Sequence, residues 1–142
     1  MDALTFLSGH AALFAGVSTE ELTELAVNST LRQLMPGQIV LRAGMTVDDV
    51  YVVATGKVEV HAKVANKGVV RVAELGAGEV FGEASIMEKT VAGATVKAGE
   101  AGAIVLLIPE SAFRGLIAGN GAFAARVRAL IESRRAQAPP KS

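Results

Sequence analysis

The chain has 142 residues, of which 51% are hydrophobic and 20% charged, the size and balance of one globular domain with a real core. It has no cysteine, which excludes disulfides and thiolate metal sites, and its net charge of zero leaves no footprint of a general nucleic-acid binder. The charge is segregated all the same. Residues 1–34 set Asp2, Glu20, Glu21 and Glu24 against Arg32, a net −3. Residues 110–142 set Arg114, Arg126, Arg128, Arg134, Arg135 and Lys141 against Glu110 and Glu132, a net +4. Either the two ends dock on each other or the basic end faces a partner.

In chain order, the first third reads as helix. Leu4, Leu7, Leu13 and Phe14 make a broken apolar stripe, and Ser18-Thr19-Glu20-Glu21 has the form of a capping box ahead of Leu22, Leu25 and Ala26. Pro36-Gly37 ends that section. Short strands follow at Ile39–Leu41, Val50–Ala54 and Lys57–Val64, the last alternating Val58, Val60, Ala62 and Val64 with Lys57, Glu59, His61 and Lys63. Asn66-Lys67-Gly68 predicts a hairpin into Val69–Leu75, and Thr95–Ala98 and Ala103–Ile108 add two strands. Seven or so short strands predict a sandwich, barrel or jelly roll. Two helices complete the chain, one with Phe113, Leu116 and Ile117 on one face, the next with Phe123, Val127, Leu130 and Ile131. That second stripe either packs on its own roll or offers a contact to a partner. The expected class is α+β: a β-roll, or jelly-roll-like antiparallel barrel, flanked by N-terminal helices and two C-terminal helices. The expected boundaries are helices over 1–35, β-roll over 36–109 and helices over 110–135, one domain of residues 1–135, with a flexible tail over 136–142.

No catalytic residue and no metal site is predicted. His10 and His61 stand far apart without ligand spacing, and His61 reads as an exposed, idle side chain. A metal-dependent jelly-roll enzyme needs a histidine cluster with a carboxylate, and no serine has a paired base in a recognisable frame. The apolar run from Ala103 to Pro109 is too short to span a bilayer, and the N-terminus lacks the features of a signal peptide, so a cytoplasmic protein with no membrane role is expected.

The stretch Phe81–Val96, FGEASIMEKTVAGATV, carries more chemistry. Gly76, Gly78 and Gly82 allow a sharp turn and close approach to a ligand, and a helix beginning near Glu83 directs free amides outward. Glu83 then either accepts hydrogen bonds from sugar hydroxyls or only caps the helix.

These residues resemble the cyclic-nucleotide-binding domain family, which includes catabolite-activator-type regulators and kinase regulatory subunits. The resemblance runs from Leu13 to about Arg135. It rests on Pro36–Gly44 (PGQIVLRAG), Tyr51–Val60 (YVVATGKVEV) and Leu75–Glu83 (LGAGEVFGE). It implies a β-roll whose phosphate-binding cassette is Phe81–Val96. Gly82 and Glu83 match the residues that hold the phosphate and the ribose hydroxyl, and Ala84 and Ser85 match the helix-start positions that follow. The family's cassette usually ends Pro-Arg-Ala-Ala-Thr, where this chain has Val91-Ala92-Gly93-Ala94-Thr95. Ala92 stands where the arginine that pairs the cyclic phosphate is expected, and Gly93 where a Thr or Ser often helps select guanine.

Truncating one partner of a buried charge pair costs about 2–5 kcal/mol, which is tens to thousands of times in affinity at about 1.4 kcal/mol per decade. Lys89, Lys97, Arg128 and Arg134 are the candidate replacement cations, the last two on a final helix that could fold over the mouth as a lid. The resemblance implies a non-catalytic regulatory module without a resident cofactor. In one reading it senses cyclic AMP, cyclic GMP or a related anionic nucleotide and signals through its helices to a partner protein. In the alternative it is a degenerate member acting as a protein–protein interaction scaffold. The family's C-terminal helix can also pair with its copy in a homodimer. No helix-turn-helix follows it here, so direct DNA binding is not expected.

Overall fold

Three short helical segments come first in the computed structural model, which describes residues 2–137: α1 (Ala3–Gly9), a 3₁₀ turn (Ala12–Phe14) and α2 (Thr19–Val27). The capping box is formed. The Glu21 amide donates to Ser18 Oγ at 3.1 Å, and the Ser18 amide donates back to Glu21 Oε1 at 3.2 Å. Phe6, Leu7, Phe14, Leu22 and Leu25 point into the core.

The helical section is shorter than its sequence suggests. Asn28 Nδ2 donates to the Glu24 carbonyl and Ser29 Oγ to that of Leu25, closing α2, and the chain becomes strand β1 (Thr30–Leu34) before Pro36. Only Leu34 of this edge strand is buried, so no apolar alternation announces it. The remaining strands are β2 (Ile39–Leu41), β3 (Asp49–Val64), β4 (Gly68–Leu75), β5 (Val80–Phe81) and β6 (Thr95–Pro109). The described residues thus form six strands, not seven, and two of them are long, with 16 residues in β3 and 15 in β6. Gly56 and Gly102, which fall in the gaps between the short strands expected at Val50–Ala54 and Lys57–Val64 and at Thr95–Ala98 and Ala103–Ile108, lie inside β3 and β6 with φ of 75° and 77°. A Cβ on Gly56 would sit 2.4 Å from the Gly102 carbonyl oxygen, so the glycines let two strands touch and do not stop them.

All pairings are antiparallel, in the order β1-β6-β3-β4, with β2 also on β6 and β5 on β3, and the sheet is not closed into a barrel. The β3–β4 hairpin turns where predicted, with Asn66 and Gly68 at positive φ. His61 is not idle: it is half-buried, and its Nε2 lies 3.0 Å from Glu59 Oε1.

Helices α4 (Glu110–Gly119) and α5 (Gly121–Gln137) complete the described chain. Ala136 and Gln137, expected in the tail, belong to α5, and the rest of that tail lies outside the described residues. The N-terminal and C-terminal helices do dock, but through apolar contacts and hydrogen bonds, with no ion pair between them among the described residues. Phe123 stacks on Phe14 at 5.2 Å and meets Phe113 edge-on at 5.7 Å. Arg126 Nε donates to the Leu13 carbonyl, and Asn120 caps α5 at the Phe123 amide while its own amide group donates to Glu21. Full burial of a ring such as Phe123 contributes about 1.5–3 kcal/mol, enough for this stripe to settle where α5 lies. The Phe123, Val127, Ile131 face therefore packs on its own chain. No helix among the described residues is long and apolar enough to cross a membrane.

Candidate functional site

The site begins where β5 ends. Val80 and Phe81 pair with Val52 and Tyr51 of β3, and the Phe81 and Tyr51 rings lie parallel 4.7 Å apart. The chain then turns at Gly82, whose φ of 89° is left-handed, and where a Cβ would lie 3.1 Å from the Asp49 carbonyl oxygen and 3.3 Å from the Tyr51 ring. Only glycine fits this turn comfortably. It starts α3 (Glu83–Glu88) with its first side chain directed into the protein.

Glu83 is 2% exposed, the one charged residue among the buried side chains described. Arg134 Nη1, from the last part of α5, donates to Glu83 Oε1 at 2.7 Å. The other oxygen, Oε2, is buried and has no partner in the protein. An unsatisfied buried acceptor costs about 1–3 kcal/mol, so Oε2 is a place where a donor would be favourable. Burial pushes the Glu83 carboxyl above the usual carboxylate range, and the Arg134 charge offsets part of that.

Arg134 reaches Glu83 because it lies on the buried face of α5. Phe123, Val127, Ile131 and Arg134 follow one another at spacings of four, four and three residues, a single helical stripe ending in a cation. That spacing is legible in the sequence. Next to it, Arg135 pairs with Glu88 at the far end of α3, so two neighbouring arginines grip both ends of the short helix.

The loop after α3 is held by backbone. Lys89 ends the helix in the left-handed region at φ 55°, Ser85 Oγ donates to the Val91 carbonyl at 3.2 Å, and Arg114 donates to the Ile86 carbonyl. The Ala92 amide donates to the Met45 carbonyl and the Ala92 carbonyl accepts from Gly44, each at 2.8 Å. Thr95 Oγ1 accepts from the Ala43 amide at 3.0 Å. Ala92 is 4% exposed, Gly93 is exposed, and neither carries a donor in its side chain.

Of the expected site residues, Gly82 and Glu83 form the turn and its buried carboxylate, while Ala84 and Ser85 are half-buried on the helix that follows. Of the candidate cations, only Arg134 is brought to Glu83. Lys89 is exposed at a cleft of about 270 Å³ lined by Thr46, Val47, Ser85 and Ile86. Lys97 lies on β6 opposite Ile39 and Glu59, and Arg128 is exposed with no ion pair among the described residues. The Glu88–Arg135 pair and the backbone closure of the Ala92 loop are not foreseen by sequence reasoning, since an exposed charge pair and backbone hydrogen bonds leave no mark in residue type or spacing. Among the described residues no group of three or more His, Asp or Glu could hold a metal ion.

Against known proteins, the family description "Cyclic nucleotide-binding domain" matches residues 31–120. A cAMP-dependent protein kinase regulatory subunit of Blastocladiella emersonii is 31% identical over 90 residues, 63% of this chain and 22% of that protein. The chain spans between 12% and 29% of the length of the curated relatives it matches. Among solved structures, the regulatory domain of Toxoplasma gondii PKA with cAMP superposes with a TM-score of 0.80 at 19% identity, over 96% of this chain and 49% of that one. The regulatory subunit of a cAMP-independent protein kinase A from Trypanosoma brucei gives a TM-score of 0.77 at 20% identity, over 96% of this chain and 46% of that one. With the Gly82 turn, the buried Glu83 and the helix-flanked antiparallel sheet, the match over residues 31–120 shows that the chain belongs to the cyclic nucleotide-binding domain family.

Proposed function

We propose that this chain is a non-catalytic regulatory module, acting in the cytoplasm, that takes a nucleotide-type ligand at Glu83 and signals its presence to a partner protein through α5. The observation that carries this reading is the divided Glu83 carboxylate, with one oxygen held by Arg134 of α5 and the other buried without a donor. A ligand hydroxyl that donates to Oε2 draws on the same charge that holds Arg134, so occupancy and the position of α5 are linked. Gly82, Ala84 and Ser85 would flank such a ligand, with Ala92 and Gly93 opposite.

One observation favours the scaffold reading. At Ala92 the loop has no cation, and its backbone is closed on Gly44 and Met45. The Trypanosoma brucei protein is a useful parallel. It is cAMP-independent, and a triple mutant of it, in which one threonine becomes arginine, is bound to cAMP in its A site.

Amide hydrogen exchange on Ala92→Arg, with and without saturating cyclic AMP, tests the linkage. Exchange in the Arg134 segment of α5 is expected to change on binding. A bound ligand that leaves α5 exchange unaltered would contradict the proposal.

A further inference from the structure

We propose that the outer side of α3, with the loops beside it, is a self-association surface that receives the exposed face of α2 from a second copy of this chain. The contact lies outside the Glu83–Arg134 pair and does not depend on what occupies Glu83.

The receiving surface is the cleft of about 270 Å³ lined by Thr46, Val47, Ile86, Lys89, Val91 and Glu110. Val47 and Ile86 give it an apolar floor, and Val91 at its rim is 54% exposed. Met45, 48% exposed, stands on the loop bonded to Ala92, where the Gly44 amide donates to the Ala92 carbonyl and the Ala92 amide to the Met45 carbonyl. Those two bonds fix the backbone that carries Met45 and Val91, so a partner pays little conformational entropy to order them. The unanswered charge of the cleft is positive. Glu110 is held by Arg114 at 2.7 Å, whereas Lys89 makes no ion pair among the described residues. An apolar rim beside a free ammonium fits an apolar side chain with a carboxylate one helical turn away.

The chain carries that complement. Glu20, Glu24 and Val27 follow at spacings of four and three on the exposed face of α2. Val27 is 79% exposed, the most exposed large hydrophobic side chain described. Neither Glu20 nor Glu24 has an ion pair among the described residues, because the basic C-terminal helix spends Arg134 and Arg135 on α3. Val27 seated between Met45 and Val91 brings Glu24 to Lys89. A lone exposed valine is ordinary on a protein surface, whereas here two faces match in both their apolar and their charged positions. In a two-fold pair the contact is made twice, which doubles the area of two small patches.

Sedimentation equilibrium of the full chain from about 1 μM to about 1 mM tests this, the range in which weak specific association is read. The mean mass is expected to rise with concentration from that of one chain toward that of two. Val27→Ser and Val91→Ser should each weaken the dimer about tenfold or more, since each removes most of an apolar side chain from the contact. Glu24→Lys and Lys89→Glu should each weaken it about fivefold or more, and the chain carrying both changes should recover most of that loss, because opposite charges meet again. All four side chains are exposed, so each variant is expected to melt near the unmodified temperature, which separates lost association from lost folding. A chain that stays monomeric throughout would overturn the proposal and leave this surface to a partner protein. A dimer that withstands both serine variants would also overturn it and place the interface elsewhere.

Discussion

Arg134→Ala is expected to lower stability by about 2 kcal/mol at about pH 8, and by much less at about pH 4. Breaking a buried ion pair by removing one partner typically costs about 3–5 kcal/mol, because the other charge is left in a poor environment. The value here is set lower because Arg134 keeps 34% of its side chain in solvent, so water can replace part of what it gives. For a chain of this size the melting temperature should fall by roughly 6–10 °C. The pH dependence follows from the direction of the Glu83 shift. Its carboxyl is raised above its ordinary 4.5 by burial, so the folded state holds the proton longer than the unfolded state does. The resulting stabilisation is fully present below that ordinary value and is lost as pH rises through the elevated one. Removing Arg134 raises the carboxyl further and widens the window. Thermal melts of both proteins across that range check this. An equal loss at both ends would mean that Arg134 acts through packing and not through charge.

Ala92→Arg is expected to gain cyclic AMP affinity by some tens to thousands of times over the unmodified chain. The gain is the charge pair that position 92 lacks, about 2–5 kcal/mol when buried. Ala92 is already 4% exposed on a loop fixed by two backbone hydrogen bonds to Gly44 and Met45, so the backbone has a defined place from which an arginine would project. Calorimetric titration of a variant that melts near the unmodified temperature is the check. A folded Ala92→Arg with no gain would mean that the loop is displaced from the position a phosphate needs.

Much of the fold is legible in the order of the amino acids. The capping box at Ser18, the hairpin at Asn66-Lys67-Gly68 and the apolar stripe of α5 are local patterns whose physics is complete within a few residues, and each forms as read. Strand β1 is hidden because it is held by backbone pairing with β6 while four of its five residues stay exposed, so it shows no apolar alternation of its own. Gly56 and Gly102 mislead in the opposite direction, since a glycine that allows two backbones to touch is indistinguishable by type from one that ends a strand. At the site, Gly82 and Glu83 stand out as a turn and a carboxylate, but the partner of that carboxylate lies 51 residues away. Four candidate cations can be named from the sequence. Choosing Arg134 among them needs the path of α5 over the core, although its place on the Phe123, Val127, Ile131 stripe already directs it inward.

The Glu83–Arg134 pair is held to act as one unit joining the cassette to α5. A double-mutant cycle of Glu83→Gln, Arg134→Ala and the pair, read by urea denaturation at about pH 8, measures that directly. The expected coupling is about 1 kcal/mol or more, with the double variant more stable than the sum of the single losses predicts, because the second change removes a charge the first left unpaired. Losses that add within about 0.3 kcal/mol would contradict it, and α5 would then be held by its apolar face alone.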